Sequence, residues 1–305
     1  MKKPYVCVIG GSNVDITCTS FTKIKTKDSN PGIASLSCGG VARNIAENLA
    51  RLGVEVVLIT VLGNDSNAHM IEQNAKSVGI DLTHSLVADE PSSCYVSVND
   101  VDNDMFVGVS SMNVLDKLTP EFLNTKLDVI NGAKCVVADT NIPGCLDYLI
   151  NNANVPIFLD TVSAKKTKIA ADKIKNVYCI KPNMYEAEIL SGVAISDEKS
   201  VLEACKIIAK RNISEIFVSC AEKGSYCYKD GKFARVPFFK TEVVNTTGAG
   251  DSFMAGIVYG FVNGESLERS ARFAAACSAL TVAAADTVCK NISAQKAFDI
   301  ADKNA

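Results

Sequence analysis

The sequence is poor in metal-binding material. It holds only two histidines, His69 and His84, and none of its twelve cysteines stands in a C-x-x-C pair. A zinc site therefore has little to be built from. The cysteines sit mostly inside apolar runs such as Lys134-Cys135-Val136-Val137. Buried free thiols in a reducing cytoplasm are the expectation. No G-x-G-x-x-G follows a strand, which argues against a dinucleotide-binding oxidoreductase. No run of 18 apolar residues is present, so no membrane partner is expected. Met1-Lys2-Lys3 leads straight into Tyr5-Val6-Cys7-Val8-Ile9, too short for a secretory core and readable as a first strand. Net charge is only −3, which leaves no electrostatic footprint for a nucleic-acid partner or a membrane surface. Internal repeats and low-complexity stretches are missing as well.

What is present is a large apolar fraction, 48% of 305 residues, enough for one large α/β domain or two modest ones. Strand and helix signals alternate. Strands are expected at 5–10, 55–62, 134–139, 156–160, 177–180 and 215–219. Helices are expected at 41–53, 66–78, 143–151, 183–190, 198–211, 250–262, 265–287 and 293–303. A hairpin at 224–236 turns about Asp230-Gly231. This order implies a mostly parallel sheet with helices on both faces. Two polar hairpins, at about 16–38 and 92–109, do not suit such a sheet. They are expected to form a small lid inserted in a single unit spanning 1–305.

In the helix at 41–53, Val41, Ala42, Ile45, Ala46, Leu49 and Leu52 make the apolar stripe. Arg43 with Glu47, and Glu47 with Arg51, are read as i,i+4 pairs on the wet face. Asn44 falls beside the stripe and must find a partner, either a ligand or a loop carbonyl.

Ligands bind parallel sheets at the carboxyl ends of the strands. The polar tails expected there are Asn13 and Asp15, Asp139-Thr140-Asn141, Asp160, Lys181-Pro182-Asn183 and Ser219. Asn13 and Asp15 are two apart and share a face in extended backbone. They suit sugar hydroxyls, or equally an Asx turn. Asn183 and Glu186 have capping-box spacing, which leaves room for a second role at a metal-bound water. The stretch Val244–Phe253, VNTTGAGDSF, joins a Gly-rich turn to an apolar helical run. Such a helix start presents unpaired N–H groups at the positive end of the dipole, a site for phosphate. Asp251 in the first turn either complements the dipole or takes a proton from an attacking hydroxyl.

Three ordered motifs, GGVARNIAENLARLG at 39–53, KPNMYEAE at 181–188 and VNTTGAGDSF at 244–253, resemble the ribokinase-like (PfkB) carbohydrate kinases. DSNPG at 28–32, VADTNI at 137–142 and LDTVSAKK at 159–166 are similar to the pseudouridine-phosphorylating branch of that family. The resemblance implies a three-layer α/β/α fold with a small β-strand lid. It implies transfer of the ATP γ-phosphate to a ribose 5′-hydroxyl. Asp251 would be the base, and the amides of Gly248, Ala249 and Gly250 the anion hole. Asn13, Asp15, Gly39, Gly40 and Asn44 would hold the sugar. Asn183, Ser219, Gly224 and the 274–282 region, with Cys277, would lie at the nucleotide. Glu186 would act on Mg²⁺ through water. Lys166 is either a cation near substrate or an exposed residue of a Lys-rich loop. A homodimer through the lid is implied too. Asn245 stands where many relatives carry Asp at a monovalent-cation site, which leaves potassium dependence open. Cys220-Ala221 replaces the usual glycine after Ser219. Ribokinase, fructokinase and adenosine kinase activities are the alternatives inside the family. A catalytically silent nucleoside-binding regulator is the alternative outside it.

Overall fold

The structure is a computed structural model that describes residues 3–304. Its strands, in chain order, are β1 (Tyr5–Ile9), β2 (Asn13–Ser20), β3 (Gly32–Gly39), β4 (Glu55–Ile59), β5 (Val61–Leu62), β6 (Ile80–Asp81), β7 (Leu86–Val87), β8 (Cys94–Asn99), β9 (Met105–Ser111), β10 (Cys135–Asp139), β11 (Ile157–Asp160), β12 (Cys179–Lys181), β13 (Glu215–Ser219), β14 (Ser225–Lys229) and β15 (Lys232–Val236). The helices are α1 (Val41–Arg51), α2 (Ser66–Val78), α3 (Pro120–Asn124), α4 (Leu127–Asn131), α5 (Leu146–Asn152), α6 (Ala164–Ala170), α7 (Met184–Ser191), α8 (Glu198–Ala209), α9 (Ala249–Asn263), α10 (Leu267–Val282) and α11 (Ala294–Lys303).

Nine strands form the main sheet in the order β15-β14-β13-β12-β11-β10-β1-β4-β6. Pairing is parallel from β12–β13 through to β4–β6, with β14 and β15 added as an antiparallel hairpin. Alternate strand residues feed two cores. Cys7, Ile9, Val136, Leu159 and Ile180 pack against α5, α7 and α8. Val6, Val8, Val137, Phe158 and Phe217 pack against α1, α9, α10 and α11. Both strand faces are apolar because both are covered, as the near-continuous hydrophobic runs require. From β1 the chain runs outward through β4 and β6, then returns to β10 on the other side. The order thus reverses between β1 and β10, which opens a crevice at their carboxyl ends.

The two polar hairpins leave the main sheet and pair with each other. They build a second sheet in the order β3-β2-β8-β9, joined through the parallel pair β2–β8. Register sorts its two faces. Asp15, Ser37, Tyr95 and Ser110 lie in one cross-strand row, followed by Thr17, Ser35, Ser97 and Gly108. On the opposite face the rows are Leu36–Ile16–Val96–Val109 and Ala34–Cys18–Val98–Val107.

Several expectations need correcting. The strand expected at 55–62 breaks at Thr60, whose hydroxyl donates to the Gly10 carbonyl at 2.7 Å. The helix expected to reach 287 stops at Val282, because the Val282 carbonyl accepts the amides of Val244 and Asn245. Arg43 and Glu47 are not on a wet face. They are 2% and 4% exposed, since α1 is enclosed by the sheet, α2 and α9. The Lys-rich loop around Lys166 is helix α6, started by Ser163, whose hydroxyl accepts the Lys166 amide at 3.3 Å. Helices α3 and α4, short and weakly periodic, have no counterpart in the expected pattern.

Candidate active site

At the crevice lies a cavity of about 500 Å³ between the main sheet and the polar face of the small sheet. Asp139, at the end of β10, lies fully buried behind it. One carboxylate oxygen accepts the amides of Gly11 (3.0 Å) and Ala42 (3.1 Å), and the other the amide of Asn141 (2.8 Å). These bonds tie β1, β10 and the start of α1 together. A Cβ at Gly10 would fall 2.6 Å from that carboxylate, so the junction admits no side chain there. Burial raises the Asp139 pKa, against the pull of the Gly11 amide and of the backbone and side-chain amides of Asn141.

Above this junction, β2 presents Asn13 and Asp15 to the cavity. Asn13 Nδ2 donates to Asp15 Oδ1 at 2.6 Å. Asp15 is raised mainly by burial, with the Asn13 hydrogen bond and the Arg43 charge opposing. Gly39 does not line the cavity but makes room for it, because a Cβ there would sit 2.1 Å from Asp15 Oδ2. Gly40 lines the cavity at φ +97°, where a Cβ would meet the Gly11 carbonyl at 2.5 Å. Asn44, one turn into α1, is 5% exposed.

The floor is the start of α9. Gly248 is its N-cap in the left-handed region, φ +80°, and a Cβ would lie 2.0 Å from the Thr287 carbonyl. Only glycine fits that backbone without displacing the chain. Gly248 and Gly250 line the cavity, whereas Ala249 does not, its amide closing a turn on the Thr246 carbonyl at 3.4 Å. Asp251 stands in the first turn, half-buried, and accepts Asn44 Nδ2 at 2.7 Å. Its pKa is pushed up to about 7, first by burial and then by the Asp160 carboxylate, against the pull of Asn44, Lys181 and Arg43. A carboxylate poised near neutrality beside a helix N-terminus can accept a proton from a hydroxyl.

Lys181, expected among the polar strand tails but given no role there, is the cation of the cavity. It is 5% exposed, pairs with Asp160 at 3.3 Å and points at Gly250, where a Cβ would be 3.1 Å from its Nζ. Its pKa is raised, because the Asp160, Glu186 and Asp251 carboxylates outweigh burial. Its position before the Asn183 cap was the available signal, since a lysine ending a buried strand must face something polar. Lys166, by contrast, does not line the cavity. Asn141 and Asp160, expected among the polar strand tails, line it too, as do Tyr95, Met112, Val162, Thr247 and Thr287, which were not singled out for it.

Asn183 and Glu186 form a reciprocal capping box on α7. Glu186 accepts the Asn183 amide (2.8 Å), Asn183 Nδ2 (2.8 Å) and the Thr161 hydroxyl (2.5 Å). Its oxygens are thus occupied within the protein while the residue borders the cavity. Ser219 lines the cavity from the end of β13. Gly224 and Cys277 do not: Gly224 makes room for the Val236 carbonyl, and Cys277 is a core residue of α10 itself.

Four carboxylates, of Asp15, Asp160, Glu186 and Asp251, border the cavity against one lysine among the described residues. A polyphosphate entering it would need further positive charge. No group of three or more His, Cys, Asp or Glu is arranged to hold a metal among the described residues. The donor set therefore suits a Mg²⁺ that would ride on phosphate oxygens and keep its waters rather than one held by side chains alone.

Comparison with known proteins bears on this geometry. The profile of the pfkB family of carbohydrate kinases matches residues 3–291. Pseudouridine kinase of Escherichia coli is 35% identical over 286 residues, covering 92% of this chain and 91% of that protein. Arabidopsis thaliana ribokinase, solved with ribose and ATP, superposes with a TM-score of 0.87 at 23% identity, covering 98% of each chain. An Escherichia coli protein solved with ATP and Mg²⁺ superposes at 0.84 with 17% identity, covering 99% of this chain and 100% of that one. The α/β fold, with its large mostly parallel sheet and flanking helices, is the ribokinase-like one.

Proposed function

The chain belongs to the pfkB family of carbohydrate kinases and is a phosphotransferase with a hydroxyl acceptor; within that family, we propose that it phosphorylates the ribose 5′-hydroxyl of pseudouridine from ATP. The observation that carries the proposal is Asp251, raised to about 7 at the start of α9 and facing Asn13 and Asp15 across one cavity. Asn13, Asp15 and Asn44 hold the ribose. Asp251 takes the proton of the 5′-hydroxyl as it attacks. The N-terminus of α9, with Gly248 and Gly250, and the Lys181 ammonium take up charge on the phosphoryl group. Asn183 and Ser219 flank the nucleotide. Glu186 would hold Mg²⁺ through water, and the ion would supply further charge neutralisation at the phosphates.

Two features favour a nucleoside over a free sugar. Tyr95 and Met112 give an otherwise polar cavity an aromatic and a thioether surface, which suits a flat base. Similarity to a pseudouridine kinase, at 35% identity, is what favours pseudouridine among nucleosides. The four-stranded sheet acts as the lid that excludes water from the phosphoryl group. Its outer face carries exposed Leu36, Val107 and Val109 in the apolar rows described above. Such a face on a lid calls for a cover, and the same face of a second copy matches it, giving a homodimer through the lid.

The test is phosphorylation by purified protein with ATP and Mg²⁺ of pseudouridine, uridine, adenosine, ribose and fructose, read by product mass. Preference for pseudouridine over uridine is expected. Preference for ribose or fructose would overturn the nucleoside assignment. Binding without any product would overturn catalysis in favour of a regulator.

A further inference from the structure

We propose that Arg43 is a positioning residue for Asp251, holding the side-chain amide of Asn44 in the one orientation that donates to the carboxylate. The inference rests on Asp251 being the base, as set out above. Arg43 is 2% exposed, a place where arginine is seldom found unless paired. Its Nη2 donates to Asn44 Oδ1. A primary amide has one acceptor end and one donor end. With the acceptor end held by Arg43, the donor end meets Asp251 Oδ2 at 2.7 Å. The reverse orientation would set a carbonyl oxygen against a carboxylate and leave the guanidinium facing an NH₂ group.

The guanidinium is itself fixed from several sides. Nε donates to the Gly39 carbonyl at 3.1 Å, and Nη1 to Asn74 Oδ1 at 3.1 Å and to Glu47. Glu47 is held in turn by Arg51 Nε at 2.8 Å, and Arg51 Nη1 donates to the Lys290 carbonyl at 3.0 Å. A continuous polar ladder thus runs from the partly exposed Arg51 to the cavity floor. Stability alone does not account for it, since a buried ion pair is worth little more than apolar side chains of the same volume.

Asp251 is faced by Arg43 from α1, Asp160 from β11 and Lys181 from β12, with Asp15 of β2 and Glu186 of α7 also bordering the cavity. Releasing the Asn44 amide removes a donor from the ionised form of Asp251, so its proton is held more tightly.

The test compares Arg43→Gln/Glu47→Gln, which leaves no buried charge unpaired, with Arg51→Gln and Asp251→Asn. Turnover is followed against pH, with MgATP and the acceptor that the wild type uses best, and Tm is measured alongside. The double variant is expected to lose kcat by about 10- to 100-fold, the worth of a hydrogen bond to a charged group. Its KM for ATP should hold, and its acidic limb should move up by roughly half to one pH unit. Arg51→Gln should lower Tm but keep kcat and the limb. Should the double variant fail to fold, Arg43→Lys, which keeps the charge but not the fork, is expected to show the same limb shift. An unchanged kcat and limb in either folded Arg43 variant would overturn the inference. So would an equal loss in Arg51→Gln, which would make the ladder mere support for α1. Full turnover in Asp251→Asn would instead remove the base assignment, and is read separately.

Discussion

The floor of the cavity and the sheet above it are built on opposite terms. On the floor side the groups are partnered within the protein: Asp139 accepts three amides, Glu186 three donors, and Asp251 the Asn44 amide. In the small sheet, β3 is exposed along most of its length and β9 along all of it. Its hydrogen bonds are chiefly those of the ladder. A phosphoryl-transfer site gains from rigid, pre-set dipoles, because charge that need not reorganise stabilises the transition state most. An acceptor site that must admit and enclose a nucleoside gains from an element held by fewer contacts. On the reading proposed above, the division would put the chemistry in the more tightly bonded half and selectivity in the more exposed one.

The largest expected break is Asp251→Asn. Turnover should fall roughly 10²- to 10⁴-fold, the usual worth of a general base, while nucleoside binding measured by calorimetry stays close to wild type. Next comes acidity. Asp251 is lifted by burial and by Asp160, so kcat/KM should fall about tenfold per pH unit below about 7. A limb near 4 would mean that the proton goes elsewhere. On the other half of the molecule, Tyr95→Ala should raise KM for the nucleoside by about tenfold or more, the scale of one base–aromatic stack. The same variant should leave any activity on ribose little changed, which separates base contact from general damage. The paired change Leu36→Asp with Val109→Asp should abolish self-association in sedimentation, with folding retained.

The smallest effect is on stability. The folded Asp251 binds its proton more tightly than the unfolded chain does. Its ionisation therefore costs stability, fully above about pH 7 and not at all below its unfolded pKa of about 4. Asp251→Asn should raise Tm by a few degrees at pH 8 and lose that advantage as pH falls towards 4, a shift that calorimetry resolves.

These two halves differed in how far sequence revealed them. VNTTGAGDSF and the Asn183–Glu186 spacing announce α9 and α7 because caps and Gly turns are local rules that neighbours rarely override. Both hairpins were legible from their polar strands and turns, but their parallel β2–β8 joint was not, since it depends on contacts about 80 residues apart. Arg43 and Glu47 misled for a physical reason: i,i+4 opposite charges are ordinarily a solvated face, and here α2 and α9 cover them. Lys166 and Lys181 exchanged places. Composition drew attention to a Lys-rich stretch that is a partly exposed helix, while the lysine in the cavity stood alone at a strand end.

The free thiols divide along the same boundary. Nine are buried, and the three that are only half-buried, Cys18, Cys38 and Cys94, all belong to the small sheet. The chain thus carries its own two-speed reporter. A thiol reagent should tag the three at rates that follow opening of the small sheet, and the other nine only when the whole fold opens. Cys18 lies in an outer apolar row, so its labelling should slow as protein concentration rises if copies meet there.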